Sequence, residues 1–290
     1  MDDSSFESGQ RTWRRLVRSR SAWIGASIVV TAVFLAVAAD LVTPFGPREK
    51  DPQSVLAPPS SQHPLGTDQY GYDVLSRAIY GSRLSLLSGL VSMAVAIGLG
   101  ATAGAIAGYV GGLTDNVIMR LVDVMMSFPA ILIAILIVIA LDRTEWYPIM
   151  IAVGLINVPL FCRQVRATVL TVRSLDYVAA SRAMGASRTH VLLKVILPAT
   201  MSPVIVLATL GLGVAVLEVA GLAFLGIAGQ PDDAEWGSML ASAKDHMSVS
   251  LWPVFVPGIA ISLTVLGFNL LGDGLRDALD PHLRVDAEPL

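Results

Sequence analysis

The side chains with the most evident chemistry lie in residues 177–198, where a polar, basic segment interrupts a largely apolar chain. Its alanines are small enough for a helix to seat closely in a groove of another protein, and Gly185 can end that helix because glycine tolerates the left-handed conformation. The basic side chains can pair with acidic groups of a partner or with anionic lipid headgroups. The pattern therefore indicates either a docking surface for a soluble partner or a basic helix held by lipid alone. The positions concerned are Tyr177, Ala179, Ala180, Ser181, Arg182, Ala183, Gly185 and Arg188.

Glu218 is a carboxylic acid well inside a long apolar run, where a charge is costly and usually marks function. It falls within the sequence LGLGVAVLEVAGLAFLG and has no basic residue near it in sequence. The position leaves three alternatives open: a neutral acid, an acid paired across helices, or a pathway or gate residue that faces water. Asp123 differs because Arg120 lies three residues before it, which predicts a structural ion pair within one helical turn.

The sequence contains none of the motifs that would supply catalysis. It lacks the GxxxxGK[ST] phosphate loop, the HExxH and GxSxG motifs, and paired carboxylates placed for acid–base work. The four histidines are scattered without ligand spacing, and the single cysteine, Cys162, lies in an apolar run that favours a buried thiol. The net charge of −3 does not support nucleic-acid binding. We expect a non-enzyme that holds no metal and no cofactor of its own.

Composition places these residues in a membrane protein. Apolar residues make up 54% of the chain and charged residues 15%, with a mean hydropathy of +0.66. A spanning helix needs about 20 mainly apolar residues, so the sequence predicts an all-α integral membrane protein with about six transmembrane helices. Pro198 and Pro203 at the start of the fifth span predict a tilt or a kink. The predicted spans are 22–42, 84–108, 121–141, 148–165, 199–226 and 251–272.

The distribution of lysine and arginine predicts the orientation of these spans. With the N-terminus inside, 14 basic residues lie in cytoplasmic segments and six in external ones. The first span is longer than the apolar core of a signal peptide, which favours an uncleaved anchor. The predicted order is a cytoplasmic tail at 1–21, the first helix at 22–42, a proline-rich extracellular lobe at 43–83, a transmembrane core at 84–275 containing the loop 173–198, and a cytoplasmic tail at 276–290.

Two further patterns concern packing and external contacts. Gly100, Gly104, Gly108 and Gly112 recur every four residues, which predicts a stripe that lets helices approach closely. An acidic loop at 227–250 carries charges that indicate either plain solvation or a docking rim for an external binding protein. Its acids are Asp232, Asp233, Glu235 and Asp245.

Four motifs in order resemble those of dipeptide/oligopeptide importer permeases of the ATP-binding-cassette type, specifically their shorter, C-type subunit. The first motif begins at His63 with HPLGTD and continues to Arg77, although Tyr72 stands where the family has arginine. The second runs from Gly111 to Pro129, and the third is the coupling loop. The fourth pairs Gln230-Pro231 and Trp236-Gly237 with the run from Asn269 to Pro281.

The resemblance implies a type I importer permease fold in a bacterial plasma membrane, with the loop at 177–198 as the ATPase-coupling element. It implies as partners a homologous permease in a heterodimer, two ATPase subunits that bind ATP and Mg, an extracellular substrate-binding protein and membrane lipid, and no nucleic acid. Peptides are the implied cargo, and nickel, glutathione or haem are alternatives within the same family. The mechanism implied is alternating access, in which ATP binding favours the outward-open state.

This chain departs from the family in the coupling loop and the fifth span. The family signature EAAxxxG falls on Ala179, Ala180, Ser181 and Gly185, so the leading glutamate is absent and Arg182 is a substitute contact. The family glutamate of the fifth span aligns with Val219, one residue after Glu218. An ion-driven secondary transporter, in which Glu218 and Asp123 relay ions, remains a less favoured alternative.

Overall fold

The computed structural model describes residues 19–141, 145–227, 229–230 and 232–279. Within these ranges the chain is helical, and its only β features are two isolated bridges that join Lys50 to Tyr72 and Thr67 to Asp73. The predictions that involve residues 1–18, Arg143, Pro231 and residues 280–290 lie outside the described part. The helices are α1 (Arg20–Val37), α2 (Ala39–Val42), α3 (Val74–Val110), α4 (Gly112–Met126), α5 (Ala130–Leu141), α6 (Tyr147–Val172), α7 (Asp176–Ala183), α8 (Arg188–Phe224), α9 (Trp236–Ala243) and α10 (Trp252–Leu279).

The described helices confirm an all-α protein with five or six membrane spans. Five helices are long and apolar enough to cross a membrane, namely α1, α3, α6, α8 and α10, and α4 with α5 forms a sixth span if the pair is counted as one. The spanning helix predicted over 121–141 is not continuous, because α4 and α5 meet at an angle of 93°. Pro129 lies at the break; proline disfavours helical backbone at the preceding residue and cannot donate a helix hydrogen bond.

Four helices, α3, α6, α8 and α10, extend beyond their predicted ends. α3 begins at Val74, inside the predicted lobe, because the Asp73 carboxylate caps it by accepting a hydrogen bond from the Ser76 amide at 2.7 Å. α6 continues to Val172 rather than ending near 165. Its additional turns begin with Arg166, whose charge lowers the local hydropathy but whose side chain pairs with Asp115 on α4.

The chain is organised around close contact between α3 and α6. A Cβ added at Gly104 would collide with the backbone carbonyl of Cys162, and one at Gly100 would lie 2.7 Å from the Phe161 Cβ. A Cβ added at Gly108 would likewise lie 2.9 Å from the Arg166 carbonyl oxygen. These three glycines lie along one face of α3, as a small-residue stripe does between membrane helices.

Gly112 does not belong to this contact, contrary to the predicted four-glycine stripe. A Cβ at Gly112 would meet nothing within 4 Å, and the residue lies past the end of α3 at a φ of +57°. Its neighbour Gly111 has a φ of +72°. Since glycine adopts positive φ without strain, these two residues make the turn between α3 and α4.

The predicted irregularity at Pro198 appears as a change in helix type within α8. Residues Val191–Ile196 form a π-helical segment that leads directly into Leu197–Phe224. Pro198 has no amide hydrogen, and its ring clashes with the carbonyl four residues earlier. Wider π turns just before it relieve that conflict while the span continues.

The bundle has two ends that we name for the segments they carry. The lobe end holds residues 43–73 and the start of α3, and the loop end holds residues 173–187 and the end of α3. The Arg182 guanidinium lies 5.7 Å from the centre of the Tyr109 ring, which places α7 beside the last turn of α3. Between the ends, buried apolar side chains from α3, α5, α6 and α8 form the largest core cluster.

Candidate functional site

At the loop end, arginines of α6 tie that helix to α3 and α4. Arg166 pairs with both carboxylate oxygens of Asp115, with its Nη2 atom 2.6 Å from Oδ2. Arg173 donates from Nη1 to the Gly108 carbonyl at 2.7 Å. With Arg163, which pairs with Asp123, three of the six basic residues in 163–194 are hydrogen-bonded within the chain. The other three, Arg182, Arg188 and Lys194, lie beyond the end of α6.

The ion pair predicted between Arg120 and Asp123 is replaced by a longer-range one. Arg163 Nη2 lies 2.6 Å from Asp123 Oδ1, so the Asp123 carboxylate links α4 to α6 instead of closing a local pair within α4. The partners are 40 residues apart in sequence. Neighbours at i and i+3 can meet on a helix, but a packed neighbouring helix offers an equally close and less mobile partner.

α7 is a two-turn helix that ends in a Schellman motif. Gly185, at a φ of +86°, donates its amide hydrogen to the Arg182 carbonyl at 3.0 Å, and the Ala186 amide donates to the Ser181 carbonyl at 3.2 Å. Ser187 then caps α8 by accepting a hydrogen bond from the His190 amide at 3.2 Å. The chain thus leaves α7 and enters α8 through hydrogen-bonded residues, so the turn has a defined geometry.

One side of α7 is buried, and the other is exposed except for the contact of Arg182 with Tyr109. Val178 is fully buried and packs in a cluster with Val169, Val191 and Ile196. The opposite side presents small and apolar groups, with Met184 83% exposed. Its exposed members are Tyr177, Ala179, Ala180, Arg182, Ala183 and Met184. The structure therefore brings the predicted coupling residues onto one outward face, with Ser181 half-buried at its edge.

A cleft of about 400 Å³ lies between this face and the end of α3. Its polar lining comes from Arg182 and Arg188, and its apolar lining includes Tyr109 and Val191. Among the described residues, neither arginine has a carboxylate within ion-pair distance. The cleft is suited to an acidic or anionic group from outside the chain.

Glu218 has an uncharged partner on another helix. Asn157 of α6 donates from Nδ2 to Glu218 Oε2 at 2.7 Å and also to the Val153 carbonyl at 2.9 Å. Glu218 is thus paired across helices, and a hydrogen bond from an amide is compatible both with a neutral acid and with a position facing a pathway. Sequence reasoning missed Asn157 because a single amide in an apolar helix gives no pattern until its partner is known.

At the lobe end, the Tyr72 that departs from the family pattern has a packing role. Tyr72 is buried, and the Arg77 guanidinium lies 4.4 Å from the centre of its ring. Arg77 also donates to the Asp233 carbonyl at 3.1 Å. His63 contacts Asp73, the cap of α3, at 3.0 Å. The lobe is thereby fastened to α3 and to the loop that precedes α9.

Two of the four acids of the acidic loop, Asp233 and Glu235, are engaged within the chain instead of lying free in solvent. Asp233 accepts hydrogen bonds from Arg48 at 3.2 Å and from the Trp146 indole at 3.0 Å. Glu235 is fully buried and accepts from the Ser85 hydroxyl at 3.0 Å and from the Ser238 amide at 2.8 Å. Both acids therefore hold the lobe end together, and Asp245 remains exposed.

Glu235 gives a prediction about pH. Burial raises the pKa of the Glu235 carboxyl above its ordinary value, against the opposing effect of its hydrogen bonds. The folded state therefore binds the proton more tightly than the unfolded state, and stability falls as pH rises from the ordinary value of about 4.3 to the raised value. We expect Glu235→Gln, which keeps an oxygen acceptor, to reduce this dependence of the melting temperature on pH. Asp245→Asn, at an exposed position, should leave the wild-type curve unchanged; parallel curves for wild type and Glu235→Gln would contradict the expectation.

Comparison with known families covers nearly the whole chain. Residues 100–285 match the binding-protein-dependent transport system inner membrane component, and residues 8–59 match the N-terminal TM domain of oligopeptide transport permease C. The first match spans more than half of the chain and includes α7 and both partners of the Asn157–Glu218 pair.

Characterised relatives align over similar lengths. The chain is 40% identical to the dipeptide transport system permease protein of Alkalihalophilus pseudofirmus, covering 95% of this chain and 90% of the relative. It is 43% identical to the dipeptide transport system permease protein of Escherichia coli (strain K12), covering 95% and 93%. It is 39% identical to the glutathione transport system permease protein of Pectobacterium atrosepticum, covering 94% and 90%. The chain therefore belongs to the family of inner-membrane components of binding-protein-dependent transport systems, among the C-type permeases of dipeptide and oligopeptide transport.

Proposed function

We propose that this chain is a permease subunit of an ATP-driven importer of dipeptides or oligopeptides, and that it forms the translocation pathway with a homologous permease. The outward face of α7 carries the proposal. A two-turn helix with a rigid exit and a buried inner side has little reason to expose an apolar outer side unless another protein covers it. In this family that protein is an ATPase, and two such subunits would supply the ATP and Mg chemistry.

The contact with the ATPase depends on two features of the loop end. The small side chains of Ala179, Ala180 and Ala183 permit close approach, and the adjacent cleft offers Arg182 and Arg188 to an acidic group. This arrangement replaces the glutamate that the family signature has at position 179. Alternating access follows if the ATP-bound ATPase pair binds α7 of this chain, and the corresponding helix of the partner permease, more tightly in the outward-open state.

The proposed orientation places the loop end and both termini in the cytoplasm and the lobe end outside the bacterial plasma membrane. The excess of basic residues at the loop end supports it. The lobe end would then receive the substrate-binding protein. Because its residues 48–73 and 230–236 are joined by hydrogen bonds to α3, the docking of a binding protein there would act on the helices directly.

A second cargo is supported by one of the comparisons. The glutathione permease of Pectobacterium atrosepticum is almost as similar to this chain as the dipeptide permeases are. Glutathione is itself a small peptide derivative with a free amino group and carboxylates, so the same pathway chemistry would serve both. Nickel and haem remain weaker alternatives within the family.

The test is purification of the tagged chain in mild detergent with mass spectrometry of its partners, followed by uptake assays in vesicles. We expect a second permease and ATPase subunits to co-purify, and dipeptide uptake to require ATP and the binding protein. Recovery of this chain alone, with sodium- or proton-dependent uptake, would contradict the proposal and favour a secondary transporter.

A single substitution tests the role of α7. Ala180→Trp is expected to reduce the recovery of ATPase subunits several-fold, because overpacking a closely seated contact costs about 1–3 kcal/mol. Val249→Trp, at an exposed site at the lobe end, is the matched control and should retain them. Equal ATPase recovery with both variants would show that α7 is not the contact.

A further inference from the structure

The Asn157–Glu218 pair lies at the edge of an unpartnered face of a membrane-spanning helix. Val214 and Leu217 are about half exposed in this chain, and a Cβ at Gly221 would meet nothing within 4 Å. Glu218 lies on the same stripe of α8 and is itself half-buried. Since an ionisable group facing hydrocarbon is costly, this face is expected to meet a water-filled path or the partner permease rather than lipid.

The hydrogen bonds of the pair determine which groups it can still bind. The Asn157 amide has two N–H donors, and both are used, one by the Val153 carbonyl and one by Glu218 Oε2. The reverse amide orientation would set oxygen against oxygen at both contacts. The acceptor atoms that remain free are Asn157 Oδ1 and Glu218 Oε1. Within the described part of the chain, neither atom receives a hydrogen bond. With Glu218 ionised, the pair therefore presents acceptors only.

Such a pair is suited to a cationic donor, and this chain does not supply one. The two arginines of α6 that follow Asn157 are already engaged, Arg163 with Asp123 and Arg166 with Asp115. Among the described residues, no lysine or arginine lies within ion-pair distance of Glu218. An ammonium group has three donors and a full charge, which matches two neighbouring acceptors and a carboxylate.

We propose that Asn157 and Glu218 form a binding point for the protonated α-amino group of peptide cargo in the translocation pathway. The inference rests on the proposed function, since only a peptide importer brings such a group to this face. It gives the permease a recognition step of its own, based on a feature common to all unmodified peptides. Glu218 binds the ammonium group, and Asn157 positions the Glu218 carboxylate.

The experiment uses the complete importer, with both permeases, the ATPases and the binding protein, in proteoliposomes. Uptake of Ala-Ala and of N-acetyl-Ala-Ala is measured for wild type and for Glu218→Gln, each probe at a concentration that saturates the binding protein. Glutamine can still accept from Asn157, but it then turns an N–H donor toward the cargo, where the wild type has an acceptor. We expect Ala-Ala uptake to fall by about tenfold to a hundredfold, as for loss of a hydrogen bond to a charged group. N-acetyl-Ala-Ala uptake should be unchanged.

Two further readings separate cargo binding from other roles. The melting temperature of the complex should be unchanged in Glu218→Gln, and ATP hydrolysis stimulated by the loaded binding protein should be unchanged in the control variant Thr209→Val. Thr209→Val removes a hydroxyl from a half-buried position elsewhere on α8 and should transport both probes as wild type does. Glu218→Asp keeps the carboxylate and should retain the preference for Ala-Ala.

Several outcomes would overturn the inference. They are equal loss of both probes, no loss of either, or a lower melting temperature that reveals pairing with a basic group of the partner permease. If Glu218→Gln does not assemble, the comparison of the two probes in the wild-type importer tests the inference. The wild type must import Ala-Ala faster than N-acetyl-Ala-Ala, and equal rates would overturn the inference. A wild-type importer that moves neither probe would instead refute the proposed function.

Discussion

Replacing Gly185 with glutamate is expected to lower ATP-driven uptake about tenfold or more while basal ATP hydrolysis persists. Gly185 holds a φ of +86° at the end of α7, where an L-residue costs about 1–2 kcal/mol and about 1.4 kcal/mol corresponds to a factor of ten. Relief of that strain would open the Schellman turn and move the outward face relative to α8. The added carboxylate would also stand beside Arg182 and compete for the cleft.

The control for this prediction separates backbone conformation from the presence of a side chain. Gly185→Asn adds a polar group of similar size, yet asparagine tolerates the left-handed region, so most of the uptake should be retained. A Cβ at this position meets nothing within 4 Å, which excludes steric conflict within the chain itself. Uptake and ATP hydrolysis are measured on the same proteoliposomes. Wild-type uptake by Gly185→Glu would show that the geometry of the turn is unimportant for coupling.

The number and nature of the spans could be predicted from the sequence because hydrocarbon thickness sets the length of an apolar helix. Errors arose where a local feature opposed that length rule. Pro129 divides the third span into two helices at 93°, and the arginines near the end of α6 disguise two further helical turns. In both places the mean hydropathy of a long segment hides the single residue that determines where the helix breaks or ends.

The candidate site was predictable in its local part and not in its long-range part. The residues of α7 are close in sequence, and Gly185 at its end follows a local rule, so the segment could be identified from spacing alone. The Arg163–Asp123 and Asn157–Glu218 contacts join residues 40 and 61 positions apart. Their pairing depends on how α4, α6 and α8 pack, which neither propensity nor periodicity specifies.

The acidic loop is a second case in which contacts between distant residues, which the sequence does not specify, determine the structure. Glu235 and Asp233 have the composition of a solvated rim, but they accept hydrogen bonds from Ser85, Trp146 and Arg48. Burial of an acid requires a set of donors, and these donors come from three distant parts of the chain. Charge in the sequence therefore identified the segment but not the internal hydrogen bonds of Asp233 and Glu235.

Replacing Gly104 with valine is expected to have the largest effect on folding. A Cβ at Gly104 would overlap the Cys162 carbonyl, so α3 and α6 would have to separate along the contact that organises the bundle. Overpacking typically costs about 1–3 kcal/mol, and here rigid backbone rather than a flexible side chain opposes the new group, so the cost should reach or exceed that range. We expect little folded protein in the membrane fraction.

Gly98 provides the matched control on the same helix. A Cβ at Gly98 meets nothing within 4 Å, so Gly98→Val changes the same residue type without touching α6. Both variants lose the same backbone freedom and gain the same β-branched side chain, and a difference between them reports only the helix contact. Protein recovery and melting temperature in detergent are the measurements. If Gly104→Val were recovered with a melting temperature equal to that of Gly98→Val, α3 and α6 would not pack through this stripe, and the positions assigned to Arg166 and Asn157 on α6 would fail with it.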